Sequence, residues 1–445
     1  MRSFRSLAVM AALLAGLVAY IFLVDQKKPV GEDAEQKPKV FDGLKADAVD
    51  QIKISTIGGG DAVLAKSGSD WKLTSPTEAR ADQSEVSSIT SSLESLAVER
   101  VVDEKPSNLG DYGLKEPAVE VSFKTKSDKA FKTLQLGSKT PTGSDMYAKL
   151  AGQPRVFLVL GYLESTFNRT PFELRDKKLL TFDREKVDQI QVENGASTVA
   201  LKKAGGDWRV TAPVDARGDF SAIEGLVSRL QGAEMKSVVA EHADDLKQYG
   251  LDKPSLLVTI GLGSARAGLA FGGKTDKGDV YARDVTGNQV VSVAPDLVTD
   301  LTKPVDDYRR KDLFEFRPFT LSRIEITRDG TTLTIEKQKG KGKDGADTWV
   351  NAATKKTLDG PKTEDALSKL SGLRAQSFAD AKTPTAAGKP VLAVTAAFED
   401  GKKTETVTFV RTGGDVYASR PDEPGAAKVD QTEFDAALKA LDALE

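Results

Sequence analysis

Two stretches of the chain are near-copies of each other, and they decide its architecture. "KQYGLDKPSLLVTIGLG" covers residues 247–263, and "GDYGLKEPAVEVSFKTK" covers residues 110–126. Each contains Tyr-Gly-Leu, two further residues, a proline and an alternating apolar run. The glycines Gly113 and Gly250 fall where the chain must turn, so we expect a positive φ at both. The stretch therefore predicts a repeated junction that leads into a strand.

Other markers recur in the same order at nearly one period. Trp208 follows Trp71 by 137 residues, and Trp349 follows Trp208 by 141. Self-similarity of this kind indicates tandem repeats. The repeat-junction positions, all interpreted as structural, are Trp71, Tyr112, Gly113, Pro117, Trp208, Tyr249, Gly250, Pro254, Trp349 and Pro390. An Asp-x-Tyr-Ala motif also recurs, with its tyrosines at Tyr147, Tyr281 and Tyr417.

Each repeat alternates short strands with one amphipathic helix. Val86, Ile89 and Leu93 recur at helical spacing, and Asp82 and Asp219 precede the helices as candidate N-caps. The prediction is an α+β fold of three tandem repeats, each a mainly antiparallel sheet with a covering helix, after one N-terminal transmembrane helix. The predicted repeats are residues 46–182, 183–317 and 318–445, the last being degenerate because it lacks Tyr-Gly-Leu.

The N-terminus has the pattern of a membrane anchor. Residues 7–24 form an uncharged apolar run preceded by Arg2 and Arg5. A helix of that length spans about 27 Å, near the thickness of the hydrocarbon core. We interpret residues 1–24 as a signal-anchor and residues 25–45 as a polar tether, which places the rest of the chain across the membrane from the N-terminus. The alternative is a cleaved signal peptide.

Composition excludes several kinds of chemistry. The chain has no cysteine and one histidine, so disulfides, thiolate metal sites and sites with two imidazoles cannot form within it. The formal net charge is −3, which does not favour a nucleic-acid partner. We predict no catalytic residue, no metal and no cofactor, and we interpret His242 as a surface residue.

One motif resembles a nucleotide-binding loop. Residues 268–275 match G-x4-G-K-T, but their middle positions continue an apolar strand and a second strand follows. A phosphate-binding loop requires a helix at that point. We therefore predict a hairpin and no nucleotide binding. The first repeat shares only Gly-x-Lys-Thr, beginning at Gly137, with Gly272 as its counterpart.

A basic element joins one repeat to the next. "LRDKKLLTF" (residues 174–182) matches "YRRKDLFEF" (residues 308–316), so that Arg175 and Lys177 correspond to Arg309 and Lys311. One interpretation is a solvated linker whose apolar residues dock onto the repeats. The other is a partner-binding ridge formed by the four basic residues.

The markers resemble a bacterial family known as the domain of unknown function 4340. The shared pattern runs from Trp71 to Pro76, through Asp82, to Tyr112 and Pro117, and it returns in the second repeat. The resemblance covers about residues 49–316 and fits an N-terminal membrane segment. It implies a single-pass protein of the bacterial inner membrane, with the bulk of the chain in the periplasm. It also implies an association with ABC-type transport or gliding-related auxiliary proteins, but no activity.

These observations lead to one expectation about function and two alternatives. We expect a membrane-tethered periplasmic binding or scaffold protein, not an enzyme, with a protein partner in the envelope. A repeat array without a repeated polar cluster is typical of an extended binding surface. The alternatives are an envelope hydrolase that uses carboxylates between repeats and a purely structural spacer.

Overall fold

The alternating apolar segments of the first repeat form one antiparallel nine-stranded sheet. The computed structural model describes residues 37–340, 347–379 and 389–444. The order in the sheet is β4-β3-β2-β1-β6-β7-β8-β9-β5. The strands are β1 (Val49–Thr56), β2 (Gly60–Ser67), β3 (Asp70–Ser75), β4 (Ala79–Arg80), β5 (Arg100–Asp103), β6 (Val119–Thr125), β7 (Lys132–Lys139), β8 (Asp145–Leu150) and β9 (Val156–Leu160). The helices of this repeat are α1 (Gln83–Ser95) and α2 (Leu163–Phe167), with short 3-10 turns at Ala46–Ala48 and Leu109–Tyr112.

The second repeat has the same order of nine strands, β13-β12-β11-β10-β15-β16-β17-β18-β14. Its strands are β10 (Gln189–Asn194), β11 (Ser197–Ala204), β12 (Asp207–Ala212), β13 (Ala216–Arg217), β14 (Ser237–Ala240), β15 (Leu256–Leu262), β16 (Ala265–Lys274), β17 (Val280–Asp284) and β18 (Val290–Val293). Its helices are α3 (Phe220–Gln231) and α4 (Pro295–Leu301), and its 3-10 turns are Arg184–Lys186, Lys247–Tyr249 and Val305–Asp307.

The third repeat has eight strands among the residues described, in the order β21-β20-β19-β23-β24-β25-β26-β22. They are β19 (Leu321–Arg328), β20 (Thr331–Gln338), β21 (Thr348–Asn351), β22 (Ala375–Ala379), β23 (Pro390–Phe398), β24 (Lys403–Thr412), β25 (Asp415–Ser419) and β26 (Ala426–Val429), with helices α5 (Gly360–Ser371) and α6 (Gln431–Asp442). The counterpart of β4 and β13 is reduced here to one isolated bridge between Val350 and Thr357. The three sheets and their helices confirm the predicted α+β class.

The longer helix predicted from the apolar spacing of the first repeat packs on its sheet, and the shorter α2 adds Leu163 and Phe167 to the same core. Val86, Ile89 and Leu93 of α1 are fully buried in the core of the first sheet. The side chain of Asp82 accepts hydrogen bonds from the backbone N–H groups of Ser84 and Glu85, which are the orphan donors of the first turn. The corresponding aspartates, Asp219 and Asp359, cap α3 and α5 in the same way.

The repeated stretch is the junction between the two halves of each sheet. Gly113 and Gly250 end the short 3-10 turns with φ of 66° and 68°, as the sequence predicts. A Cβ at Gly250 would also lie 3.0 Å from the backbone nitrogen of Gly273. The next strand, β6 or β15, pairs with the first strand of its repeat, β1 or β10. The chain therefore makes this turn twice because, in each of these two sheets, it returns the chain to pair with the first strand of the repeat.

By contacts the chain divides into two compact units, residues 1–176 and 177–445. The first unit ends six residues before the predicted boundary at residue 182, and the second contains the sheets of both later repeats. The predicted anchor, residues 1–24, lies outside the described residues. In the part of the chain that the structure describes, no helix is both long and apolar enough to cross a bilayer.

Candidate functional site

The second linker (residues 308–316) joins the second and third repeats through its backbone. Arg309 forms an isolated antiparallel bridge with Gly218, which follows β13 in the second repeat. Asp312 forms another bridge with Arg374, which follows α5 in the third repeat. The linker is thus hydrogen-bonded to both repeats within one compact unit, and charged side chains from both repeats contact it.

Arg217, at the end of β13, lies at the centre of this junction and is only 8% exposed. Its Nε donates to the carboxylate of Glu423, and one terminal nitrogen donates to the backbone oxygen of Asp312 at 3.0 Å. The other terminal nitrogen lies 3.4 Å from Glu315. A planar guanidinium with several fixed donors suits such multiple contacts, so Arg217 connects the second repeat to the linker and to the third repeat.

Arg309 is buried beside Arg217, and its guanidinium stacks on the ring of Phe378 at 3.6 Å. Its terminal nitrogens lie 3.5 Å from Asp306 and 4.0 Å from Glu423. Burial lowers the pKa of Arg309, and the two carboxylates oppose that effect. Arginine stays charged at physiological pH even so, and the residue contributes cation–π and ionic contacts to the junction.

A second buried pair lies on the third repeat. Arg420 donates to Glu405 at 2.7 Å and to the backbone oxygen of Leu313 at 2.8 Å. The Glu405 carboxylate, 5% exposed, also accepts the backbone N–H groups of Glu315 and Phe316 at 2.9 Å each. Burial of Arg420 works against its charge, but hydrogen bonds to Asp422 and Glu405 raise its pKa. This pair fastens the end of the linker to β24 and the segment after β25.

A cleft of about 440 Å³ opens beside these buried ion pairs. Its lining combines carboxylates, arginines and two aromatic residues, among them Asp207, Trp208, Phe220, Arg310, Asp312 and Asp422. Phe220, the first residue of α3, is 61% exposed. The cleft therefore offers charged groups of both signs and one accessible apolar surface, a composition suited to a polar segment with an apolar side chain.

One carboxylate of the cleft, Asp422, lacks the environment of a general acid. Burial opposes ionisation of Asp422, but the hydrogen bond and charge of Arg420 outweigh it, so its pKa is lowered. A general acid near neutral pH needs a raised carboxyl pKa. Within residues 37–340, 347–379 and 389–444, no group of three or more acidic or imidazole side chains could hold a metal ion.

The three repeated tryptophans lie between strand and helix. Trp71, Trp208 and Trp349 are at most 8% exposed. The indole N–H of Trp208 donates to Glu224 at 3.0 Å, and that of Trp349 donates to Glu364 at 2.9 Å. Their positions are those of core residues, as the sequence interpretation expects.

The remaining junction residues lie close to the repeated turn. Tyr112 and Tyr147 meet edge to face with ring centroids 5.1 Å apart, and Tyr249 and Tyr281 repeat this contact. The prolines at the three strand entrances keep their predicted places: Pro117 and Pro254 precede β6 and β15 by two residues, and Pro390 begins β23. His242 is exposed.

The G-x4-G-K-T match lies on β16 and the turn into β17, as predicted. Its shared glycine has a structural explanation that sequence reasoning missed. A Cβ at Gly272 would lie 2.1 Å from the carbonyl oxygen of Tyr249, and a Cβ at Gly137 would lie 2.2 Å from that of Tyr112. The glycine in each repeat is thus required by the close approach of the Tyr-Gly-Leu turn.

The four residues of the hypothetical ridge have different environments. Arg309 is buried, whereas Arg175, Lys177 and Lys311 are partly exposed. Arg175 forms a bridge with Ala81, and the backbone oxygen of Lys311 accepts from Ala375 at 2.7 Å. Both linkers therefore make structural backbone contacts. A partner-binding ridge stays a hypothesis for the partly exposed residues Arg175, Lys177 and Lys311.

Sequence reasoning also missed the junction arginine itself. Ala79-Arg80 and Ala216-Arg217 are 137 residues apart and two residues ahead of the capping aspartates, so the repeat period could have found them. The third repeat has Thr357 at that position.

The fold and the junction define a class: tandem antiparallel α+β repeats whose shared positions form the turn into the central strand pair of the first two sheets. A family model described as "Domain of unknown function (DUF4340)" matches residues 71–207 and 208–390. The chain belongs to this family. The second match extends beyond residue 316, where the sequence resemblance fades, and so reaches into the third repeat. No curated protein matches the chain.

Proposed function

We propose that this chain is a non-enzymatic, membrane-tethered binding or scaffold protein of the bacterial envelope, with its repeats in the periplasm. It serves as an auxiliary subunit of an envelope complex, for which an ABC-type transporter is the candidate suggested by the family resemblance. The membrane anchor is the apolar segment at residues 7–24, preceded by Arg2 and Arg5 and followed by the polar tether of residues 25–45.

The observation that best supports this proposal is that the positions shared by the repeats have structural roles. The repeated tryptophans, tyrosines and glycines are engaged in core packing and backbone turns. Arg217 contacts the Glu423 carboxylate of the third repeat and a backbone oxygen of the linker. Arg420 contacts another linker oxygen and the Glu405 carboxylate of its own repeat. Groups used in this way hold repeats in a fixed arrangement, which suits a preorganised binding surface.

The hydrolase alternative is favoured by one observation, the carboxylates Asp207, Asp312 and Asp422 in the junction cleft. An Asp312→Asn variant distinguishes the two functions. A hydrolase that uses this carboxylate loses its cellular function while partner binding is kept. A scaffold keeps its cellular function as long as the partner stays bound.

Affinity purification of the full-length chain from native membranes in mild detergent tests the proposal. We expect an envelope protein to co-purify in fixed ratio. A chain that emerges alone at every detergent concentration tested would instead favour the structural spacer.

A further inference from the structure

The second repeat presents a short backbone edge that the linker occupies. Asp219, the N-cap of α3, donates its backbone N–H to the oxygen of Tyr308 at 2.8 Å. Arg310 donates its own N–H to the oxygen of Arg217 at 2.8 Å. These two bonds flank the bridge between Gly218 and Arg309 and form one unit of an antiparallel ladder.

The first repeat shows the same pairing within its own compact unit. Asp82 donates its N–H to the oxygen of Leu174 at 2.9 Å, and Asp176 donates to the oxygen of Arg80 at 2.9 Å. The bridge between them joins Ala81 and Arg175. An extended segment at this edge is therefore a recurrent part of the fold.

In the third repeat the same edge lies open. Leu358 keeps the internal bond of the repeat, donating to the oxygen of Trp349 at 2.8 Å, as Gly218 does to Trp208. The N–H of Asp359 and the oxygen of Thr357, however, have no hydrogen-bond partner among the described residues, and both residues are exposed. Unpaired ladder groups of this kind are a template for another strand.

We propose that this third-repeat edge (residues 356–359) binds an acidic extended segment of a partner protein by strand addition. The partner segment would accept from the N–H of Asp359 and donate to the oxygen of Thr357, as the linker does in the second repeat. This deepens the proposed scaffold function, on which it rests, by naming a surface and a class of partner.

The charges around the edge determine the sign of the partner. Lys355, Lys356 and Lys362 are exposed, and none forms an ion pair with a residue that the structure describes. The nearby carboxylates are engaged: Asp359 caps α5, and Glu364 accepts from Trp349. In an antiparallel pairing, one residue of the partner would lie opposite Leu358. A carboxylate two residues further along the partner would then face Lys356 across the ladder.

The probe is a blocked octapeptide of alternating valine and glutamate, added to the full-length chain in detergent. We expect saturable binding, with slower deuterium exchange at the amide of Asp359. Lys356→Glu should weaken binding at least fivefold. Lys402→Glu, at an exposed lysine outside any ion pair of the described residues, should change it less than twofold.

Three results would overturn the inference. The first is binding without protection of the Asp359 amide, which would mean charge attraction only. The second is equal binding of an alternating valine–lysine octapeptide. The third is protection that grows with protein concentration in the absence of peptide, which would identify a second copy of the chain as the occupant. A native partner that co-purifies while the octapeptide fails to bind would refute the edge but not the scaffold function.

Discussion

Gly272 and Gly273 are neighbours on β16, yet the structure predicts opposite effects when each is changed to alanine. A Cβ at Gly272 would meet the Tyr249 carbonyl oxygen at 2.1 Å, whereas at Gly273 the nearest atom, the same oxygen, would be 3.6 Å away. Ordinary contacts of a Cβ begin near 3.4 Å. The Gly272 variant must therefore displace the backbone of the repeated turn, and the Gly273 variant need not.

The size of the difference follows from these contacts. Overpacking against a fixed neighbour costs about 1–3 kcal/mol. Alanine at either position also stabilises the folded state by about 0.4–1 kcal/mol, because it restricts the unfolded chain. We therefore expect Gly272→Ala to destabilise and Gly273→Ala to be neutral or stabilising, with a difference of about 1–3 kcal/mol. For a domain of this size that corresponds to a Tm difference of about 2–12 °C.

The assay is thermal unfolding of the full-length chain followed by the fluorescence of Trp208. Trp71→Phe and Trp349→Phe in the background make this buried indole the only tryptophan. A local signal is needed because a chain with several domains does not unfold in two states. Equal midpoints for the two variants, or a lower midpoint for Gly273→Ala, would refute the close-approach argument.

Further predictions concern the junction, the turn and the acid limb of stability. Arg217→Ala should destabilise the pairing of the second and third repeats by less than the roughly 3–5 kcal/mol of a fully unpaired buried charge, because Glu423 loses its hydrogen-bonded arginine but keeps Arg309 at 4.0 Å. Exchange of the linker amides should rise; unchanged exchange would contradict this. In urea unfolding, Gly250→Val should lower the midpoint more than Pro254→Ala, since a β-branched residue resists φ of 68°; the reverse order would show that the turn is not the constraint. Burial opposes the charge of Glu224, but hydrogen bonds from an arginine and a tryptophan lower its pKa below the ordinary 4.5. Its contribution to stability is thus complete above that pH and lost as the pH falls through the lowered value, so Glu224→Gln should flatten the fall in stability below pH 4.5; an unchanged acid limb would argue against it.

The sequence was sufficient to predict the repeats and their sheets, because the alternation of apolar residues and the period of the markers are local properties. It also located the turn at Gly113 and Gly250, where only a residue without a Cβ adopts the conformation easily. The sequence did not show that Gly272 lies against this turn, because the contact between Tyr249 and Gly272 joins residues that are far apart in the chain.

The candidate site depended on pairings that a single sequence does not show. Arg309 was interpreted as part of an exposed basic element, but the structure buries it against Phe378. The groups that contact its guanidinium from the third repeat are Glu423 and the Phe378 ring. No local sequence pattern places them beside the linker. The open edge of the third repeat is defined by hydrogen bonds that the linkers make in the first two repeats, and no local sequence pattern encodes these bonds.

In the proposed function, the repeats lie outside the cytoplasm and bind a protein. The most direct test is cross-linking of intact native cells with an amine-reactive reagent that cannot cross the inner membrane, followed by denaturing purification of the full-length chain. We expect a discrete cross-linked species that contains one envelope protein, and its yield should fall in the Lys356→Glu variant. A chain that the reagent does not modify in intact cells but does modify after lysis would contradict the claim.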